Sequence, residues 1–243
     1  MTDVELANAI AREAGELLCS IRSEGKQQGK ELGRRGDQEA NTLILDRLKE
    51  ARPDDFVLSE EAKDDLSRCA AKRVWIVDPL DGTREYSEGR EDWAVHIGLA
   101  IDGVPVIGAV ALPALDLVLD TSLSAPLSDG AGSPRIVVSR TRPPREAEAV
   151  AEALRGTMVP MGSAGAKAMA VVRGEADIYI HSGGQYEWDS CAPVAVAKAA
   201  GLHASRIDGA PLIYNCEDVS LPDLLICRPE HAEAVLAVTR SAD

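Results

Sequence analysis

Aromatic residues are scarce in this sequence, with one Phe, three Trp and four Tyr among 243 residues. The core must therefore be built mainly from Ala, Val, Leu and Ile. The five cysteines are scattered and include no C-x-x-C pair, which argues against both a disulfide framework and a zinc site. We interpret them as small, partly buried apolar residues.

The sequence also lacks a long apolar run and an excess of basic residues. Its strongest apolar stretch, Val104 to Leu115, is interrupted by two prolines and a glycine, so it is too short to span a membrane. The amino terminus shows no basic region before an apolar segment, which argues against a secretory signal. Lys and Arg number 26 against 40 Asp and Glu, a formal net charge of −14. We expect a cytoplasmic protein of one or two domains that binds neither membranes nor nucleic acids.

The first half of the chain combines helices with an antiparallel sheet. Apolar residues at helical spacing predict one helix around residues 6–21 and a second after Asp37, with a polar, glycine-rich loop at 25–36 between them. Asp102-Gly103 is a typical β-hairpin turn. Strands are predicted at 74–77, 93–101 and 104–112.

The second half alternates between strands and helices, as α/β units do. It follows a Ser-, Gly- and Pro-rich segment at 121–134, which we take as the seam between an N-terminal part, 1–130, and a C-terminal part, 131–243, of one compact catalytic unit. The predicted elements are strands at 135–138, 157–160 and 176–180 and helices at about 144–154, 164–172 and 189–200.

The densest polar segment, DPLDGTREY, directly follows the predicted strand VWIV. Pro79 stiffens the step between Asp78 and Asp81, so both carboxylates can converge on one point with the Leu80 carbonyl between them. Oxygen ligands of this kind suit a hard cation such as Mg²⁺. The structural alternative is a solvated turn in which the two aspartates cap a helix.

The same segment also has the residues of an anion site. Gly82 lets the backbone approach a ligand closely, and Thr83 adds a hydroxyl and an N–H group. A cation and a phosphate would then meet at the end of one strand.

Two further acidic segments lie at the ends of predicted elements. Glu60 and Glu61 follow the short apolar run FVL, and Asp189 opens a helix. Solvated glutamates and a helix N-cap are the structural alternatives. If Glu60 and Asp189 converge with the DPLD carboxylates, each pair of charges ~4 Å apart costs about 4 kcal/mol at an effective dielectric constant near 20. Two divalent ions would neutralise the cluster and hold the attacking and leaving oxygens of an in-line phosphoryl displacement.

Together these segments resemble the inositol monophosphatase superfamily of Mg²⁺-dependent, lithium-sensitive phosphatases. The resemblance spans nearly the whole chain, and DQEAN from Asp37 is similar to the family's D-x-x-A-N, although the preceding GRRG departs from it. It implies a layered αβαβα sandwich, a small-molecule phosphate ester as substrate and a homodimer as in many relatives. The segments that carry the resemblance are Glu60-Glu61, DPLDGTREY, GSAGAKAMAVVRGEADIYI from Gly162, and WDSCAP from Trp188.

The resemblance also implies roles for single residues. It implies two or three Mg²⁺ ions per site, with Li⁺ as an inhibitor. The implied metal ligands are Glu60, Asp78, the Leu80 carbonyl, Asp81 and Asp189. The implied phosphate donors are the N–H groups of Gly82 and Thr83. The implied catalytic residues are Asp37, Thr83 and Glu61, of which Asp37 and Thr83 orient the attacking water.

Within the superfamily, Arg84-Glu85 resembles the CysQ-type 3′-phosphoadenosine 5′-phosphate phosphatases, also called bisphosphate nucleotidases. Lys167 stands where these enzymes contact the second phosphate. We expect His181 to bind an anion when protonated, and we interpret the other histidines, His96 among them, as structural. The candidate substrate-binding residues are Ser163, Lys167, His181 and Arg140, the last within an arginine-rich segment that also holds Arg135, Arg142 and Arg145.

The sequence therefore predicts a phosphomonoesterase that removes the 3′-phosphate of 3′-phosphoadenosine 5′-phosphate, with its phosphosulfate relative as a second candidate substrate. This would place it in sulfur assimilation. The alternative is a phosphatase for inositol 1-phosphate or fructose 1,6-bisphosphate, which shares the metal ligands and differs in the pocket wall. A non-catalytic anion- or metal-binding regulator is a third hypothesis, but it would not need Thr83 beside Asp37.

Overall fold

The computed structural model describes residues 1–122 and 132–241. Within them the chain forms seven α-helices and ten β-strands. The helices are α1 (Asp3–Ser23), α2 (Gly29–Ala51), α3 (Thr83–Ser87), α4 (Arg145–Leu154), α5 (Ala164–Val172), α6 (Glu187–Ala199) and α7 (Pro229–Thr239). The strands are β1 (Phe56–Ser59), β2 (Arg73–Asp81), β3 (Ala94–Ile101), β4 (Val104–Leu112), β5 (Leu117–Asp120), β6 (Arg135–Ser139), β7 (Thr157–Met161), β8 (Ile178–Tyr186), β9 (His203–Ser205) and β10 (Ser220–Cys227).

The strands form two five-stranded mixed sheets. The first has the order β1-β2-β3-β4-β5, and only β1 and β2 are parallel. The second has the order β7-β6-β8-β10-β9, with β6 parallel to both of its neighbours. Helices α1 and α2 cover the outer face of the first sheet, α5 and α6 lie between the sheets, and α4 and α7 cover the second. This confirms the predicted αβαβα sandwich.

Most predicted elements are present. The β3–β4 turn has positive φ at both Asp102 (50°) and Gly103 (77°), as the favoured hairpin turn requires. Strand β8 is longer than predicted because residues 181–186 pair with β10, and β9, β10 and α7 were not predicted. Most of the proposed seam, residues 123–131, lies outside the described residues. No helix within the described ranges has the length and apolarity needed to cross a membrane.

The loop predicted at 25–36 is wrong over most of its length, because α2 begins at Gly29. Glycine disfavours a helix by about 1 kcal/mol, but here it is needed for packing. A Cβ at Gly33 would lie 2.6 Å from Thr83 Cγ2, and one at Gly36 would lie 3.0 Å from a Leu18 methyl group. The glycine-rich segment is therefore the helix face that contacts α1 and α3, and it places Asp37 beside Thr83.

Candidate active site

Three elements bring the acidic segments together. Strand β2 carries Asp78 and Asp81 at its end, and the parallel neighbour β1 ends just before Glu60. Helix α6 carries Asp189 in its first turn and packs directly on β3 and β4. This close approach depends on glycine, since a Cβ at Gly108 would lie 2.5 Å from the Ala192 carbonyl oxygen.

Asp78, Asp81 and Asp189 each offer a carboxylate oxygen, and these oxygens lie within 4.8 Å of one another. One oxygen of each carboxylate accepts hydrogen bonds from the protein. Asp78 Oδ1 accepts from the Leu80 N–H at 3.0 Å, and Asp189 Oδ2 accepts from the Tyr186 N–H at 2.7 Å. These bonds fix the carboxylates and leave a second oxygen of each for a cation. An all-oxygen donor set fits a hard divalent ion.

The charges in this cluster raise one another's pKa. Burial, followed by the charges of Glu60 and Asp81, raises the pKa of Asp78 well above its usual range. Desolvation and the charge of Asp81 raise the pKa of Asp189 to about 7. Three carboxylates this close cannot all be ionised without a compensating cation. The cluster therefore favours binding of a divalent cation.

Asp81 differs from its neighbours because it has its own counterion. Its Oδ2 accepts hydrogen bonds from the Ser163 hydroxyl and from the Gly165 N–H at 2.7 Å, and it lies 3.2 Å from His96 Nε2. Burial alone would raise the pKa of Asp81, but His96 lowers it below the usual range. Asp81 is therefore held ionised with one face toward the cluster.

His96 is a site residue that the sequence interpretation missed. It is fully buried, and its Nδ1 lies 3.0 Å from the Trp188 carbonyl oxygen, so it connects β3 with the start of α6. Burial would lower its pKa, but Asp81 raises it. The only sequence signal was a polar residue within an apolar strand, and the decisive fact is its cross-strand pairing with Asp78.

Asp37 and Thr83 meet on the α2 side of the cluster. The Thr83 hydroxyl lies 3.1 Å from the Leu80 carbonyl oxygen and 3.5 Å from Asp37 Oδ2. Burial, then the charges of Glu61 and Glu60, raises the pKa of Asp37 to about 8. Its Oδ1 is buried without a partner in the described part of the chain. These residues line an opening of about 510 Å³ that also includes Glu61.

A second cavity, of about 380 Å³, includes Asp81, Gly82 and Asp189 in its wall and shares Arg84 with the opening beside Asp37. The structure brings all four predicted substrate-binding residues together here: Arg140, Ser163, Lys167 and His181. The acidic cluster thus borders the cavity beside Lys167, and Thr83, two residues after Asp81, lines the opening beside Asp37.

The lysine and the arginine among these four residues are already engaged by protein groups. Lys167 Nζ donates to the carbonyl oxygens of Gly162 at 3.2 Å and Ser163 at 2.5 Å, and burial lowers its pKa. Arg140 is paired with Glu85 and Glu88, each at 2.6 Å.

His181 lies in the wall of this cavity, and its role as an anion-binding imidazolium stays a prediction. It is 6% exposed, and burial, followed by the charges of Lys167 and Arg142, lowers its pKa to about 4. It is therefore neutral at neutral pH, with Nε2 2.8 Å from the Gly183 carbonyl oxygen. Burial thus opposes the protonation of His181 that the sequence analysis associated with anion binding.

Two packed sheets carry an acidic, oxygen-rich cluster beside a cavity lined by basic residues, a combination suited to a cation and an anion at one site. The inositol monophosphatase family model matches residues 2–242, and the chain belongs to this family.

Relatives and solved structures agree with this membership. The chain is 53% identical to "3′-phosphoadenosine 5′-phosphate phosphatase" of Mycobacterium bovis, over 95% of this chain and 90% of the relative. It is 31% identical to "3′(2′),5′-bisphosphate nucleotidase CysQ" of Escherichia coli, over 73% and 77% of the two chains. The crystal structure of CysQ from Bacteroides thetaiotaomicron superposes with a TM-score of 0.82 at 26% identity, covering 93% of this chain and 97% of that one.

Proposed function

We propose that this protein is a divalent-cation-dependent phosphomonoesterase that hydrolyses 3′-phosphoadenosine 5′-phosphate to adenosine 5′-phosphate and inorganic phosphate. The observation that carries the proposal is the carboxylate cluster, two of whose members line a cavity with basic residues, while Thr83, two residues after Asp81, lines a second opening with Asp37. The substrate follows from the relatives at 53% and 31% identity, whose names specify this nucleotide class.

The proposed cations are two or three Mg²⁺ ions, held by the acidic cluster. When bound, they supply positive charge that neutralises the carboxylates and the phosphate and polarises the attacking water. The residues that would hold them are the three clustered aspartates Asp78, Asp81 and Asp189, to which the family resemblance adds Glu60 and the Leu80 carbonyl. From the family resemblance we also propose Li⁺ as an inhibitor.

The proposed place of the transferred phosphate is against Gly82 and Thr83. Gly82 has φ of 86°, and a Cβ there would lie 3.2 Å from Ser163 Cβ, so glycine lets the backbone turn without closing the site. The N–H groups of Gly82 and Thr83 would then donate to phosphate oxygens.

The residues at the two openings suggest different roles in an in-line displacement, one opening for the attacking water and the other for the leaving nucleotide. On the Asp37 side, the Thr83 hydroxyl donates to the carboxylate or to Leu80, and its lone pair can accept a proton from the attacking water. On the Lys167 side, the cavity of about 380 Å³ would receive the nucleotide that leaves. The water oxygen bonds to phosphorus as the bond to the 3′-oxygen breaks. The proton of the water passes to the Thr83 oxygen while Thr83 passes its own proton to the Asp37 carboxylate, and the 3′-oxygen takes up a proton from solvent water.

Steady-state kinetics on three phosphate esters tests this proposal. We expect the highest kcat/KM for 3′-phosphoadenosine 5′-phosphate, above inositol 1-phosphate and fructose 1,6-bisphosphate, and loss of all three activities in excess EDTA. A higher kcat/KM for either sugar phosphate would overturn the substrate but keep the phosphatase class. Full turnover in EDTA would overturn the cation-dependent chemistry itself. Sedimentation velocity would test the homodimer that the family resemblance implies.

A further inference from the structure

Four basic side chains line the cavity on the Lys167 side: Arg84, Arg140, Arg142 and Lys167. Two of them are already satisfied. Arg140 is held between Glu85 and Glu88, which neutralise its charge, and Lys167 donates two of its three N–H groups to backbone carbonyls. A second anionic group on the substrate therefore needs another cation.

The position of Arg142 in the cavity wall makes it the candidate for this cation. It lies between β6 and α4, and its backbone N–H donates to the Ser139 hydroxyl at 3.3 Å, which ties the segment to the end of β6. Its guanidinium is exposed and, across residues 1–122 and 132–241, makes no hydrogen bond or ion pair with a protein group. A free guanidinium presents a planar fork of donors that matches two phosphate oxygens.

The opposite wall of the cavity accommodates this side chain. Gly184 has φ of 74°, and a Cβ there would lie 3.3 Å from Arg142 Nη1. The absence of a side chain at Gly184 lets the guanidinium lie over the backbone of β8. Arg142 and Lys167 both also lower the pKa of His181, which shows that the two cations face the same region of the cavity.

We propose that Arg142 is a specificity-determining residue that binds the second, non-transferred phosphate of the substrate. This inference rests on the proposed function and replaces the sequence-based choice of Arg140. Arg84 has a different place, because it follows Thr83 and also lines the opening beside Asp37. A change at Arg84 is therefore expected to affect every phosphate ester, whereas a change at Arg142 distinguishes bisphosphates from monophosphates.

The test compares two substrates that differ only in the second phosphate, 3′-phosphoadenosine 5′-phosphate and adenosine 3′-phosphate. In Arg142→Gln, kcat/KM for the bisphosphate is expected to fall ~10–150-fold, mainly through KM, while kcat/KM for the monophosphate stays within about twofold. Arg142→Lys keeps the charge and should retain more of the bisphosphate activity than the Gln variant. The matched control is Arg145→Gln, at an exposed arginine that begins α4 outside the cavity and should leave both substrates unaffected.

The outcomes separate the two proposals. Equal losses on both substrates in Arg142→Gln, or a profile identical to that of Arg145→Gln, would overturn the role of Arg142. A selective loss of bisphosphate activity in Arg84→Gln but not in Arg142→Gln would also overturn it. If the wild-type enzyme has a higher kcat/KM for inositol 1-phosphate than for the bisphosphate, that measurement alone overturns the proposed substrate, independently of the variants.

Discussion

The Thr83 hydroxyl has one proton and two acceptors within reach, the Leu80 carbonyl at 3.1 Å and Asp37 Oδ2 at 3.5 Å. Whichever acceptor takes the proton, the hydroxyl oxygen still presents lone pairs to a water on the open side. At the scale of single residues, the proposed mechanism thus separates cation binding, by the aspartates, from water orientation, by Thr83 and Asp37.

Replacing Thr83 with Val tests this separation. Thr83→Val keeps the shape of the side chain but removes the hydroxyl, so kcat should fall ~10²–10⁴-fold, the usual contribution of positioned acid–base groups. The Mg²⁺ concentration that gives half-maximal activity should change little, because the carboxylates are untouched. Thr42→Val, at an exposed threonine of α2, is the control. A variant with near-normal kcat would mean that Asp37 and Thr83 have only a structural role.

His181 is expected to make the protein less stable as the pH falls. Its folded-state pKa is about 4, against an unfolded value near 6.5. Between these values the unfolded chain binds a proton that the folded chain does not, so stability falls as the pH is lowered from about 6.5 to 4, by up to about 1.4 kcal/mol per pH unit.

Urea unfolding of the wild type and His181→Gln at pH 7.5, 6.5, 5.5 and 4.5 measures this effect. The free energy of unfolding should fall more steeply in the wild type below pH 6.5, while carboxylate titrations cancel in the comparison. His231→Gln serves as the control. Parallel curves for wild type and His181→Gln would show that the imidazole titrates normally in the folded state.

At the scale of elements, the contact between α2 and α3 determines where the water-orienting pair meets. Gly33 is the closest point of that contact, since a Cβ there would lie 2.6 Å from Thr83 Cγ2 and 2.8 Å from the Ser87 hydroxyl. Gly33→Ala raises helix propensity by about 1 kcal/mol but forces the two helices apart. We therefore expect a lower kcat, with Asp37 displaced from Thr83.

A second substitution makes this prediction specific. Thr83→Ser removes the clashing methyl group and keeps the hydroxyl, so Gly33→Ala should reduce kcat less in the Thr83→Ser background than in the wild type. Measuring kcat for the wild type, the two single variants and the double variant gives the coupling free energy between positions 33 and 83. Equal effects of Gly33→Ala in both backgrounds would contradict the close contact.

At the scale of the whole molecule, the acidic cluster connects cation binding with stability. We expect Mg²⁺ to bind the folded cluster and not the dispersed carboxylates of the unfolded chain. At a concentration of about 100 times its dissociation constant, Mg²⁺ should add about 2.7 kcal/mol to the free energy of unfolding. This would raise Tm by about 5–11 °C for a chain of this size. Differential scanning calorimetry with and without Mg²⁺ measures the shift.

Asp78→Asn should remove most of this Tm shift and nearly all activity, because it removes a charge from the centre of the cluster. Folding should survive, since an Asn can still accept the hydrogen bond from the Leu80 N–H. Asp116→Asn is the matched control, at a fully exposed aspartate, and should keep the full shift. A full Mg²⁺ shift in Asp78→Asn would contradict the assignment of the site.

The sequence by itself determined the parts of this protein that depend on local pattern. Apolar periodicity was sufficient for α1, the β3–β4 hairpin and the alternation of strands and helices from β6 to α6, because each needs only a buried face and a suitable turn. The DPLDGT segment indicated that Asp78 and Asp81 lie close together, since they are near neighbours in the chain.

Only the tertiary structure decided what depends on distant partners. Residues 29–36 are helical because α1 and α3 pack against their glycines, which local propensity could not indicate. His96 is paired with Asp78 across the β2–β3 ladder, which brings its Nε2 to 3.2 Å from Asp81, and burial lowers the pKa of His181. Arg140 and Arg142 are alike in sequence, yet Glu85 and Glu88 neutralise only the first. Charge state and hydrogen bonding depend on burial and long-range contacts, and these exist only once the chain has folded.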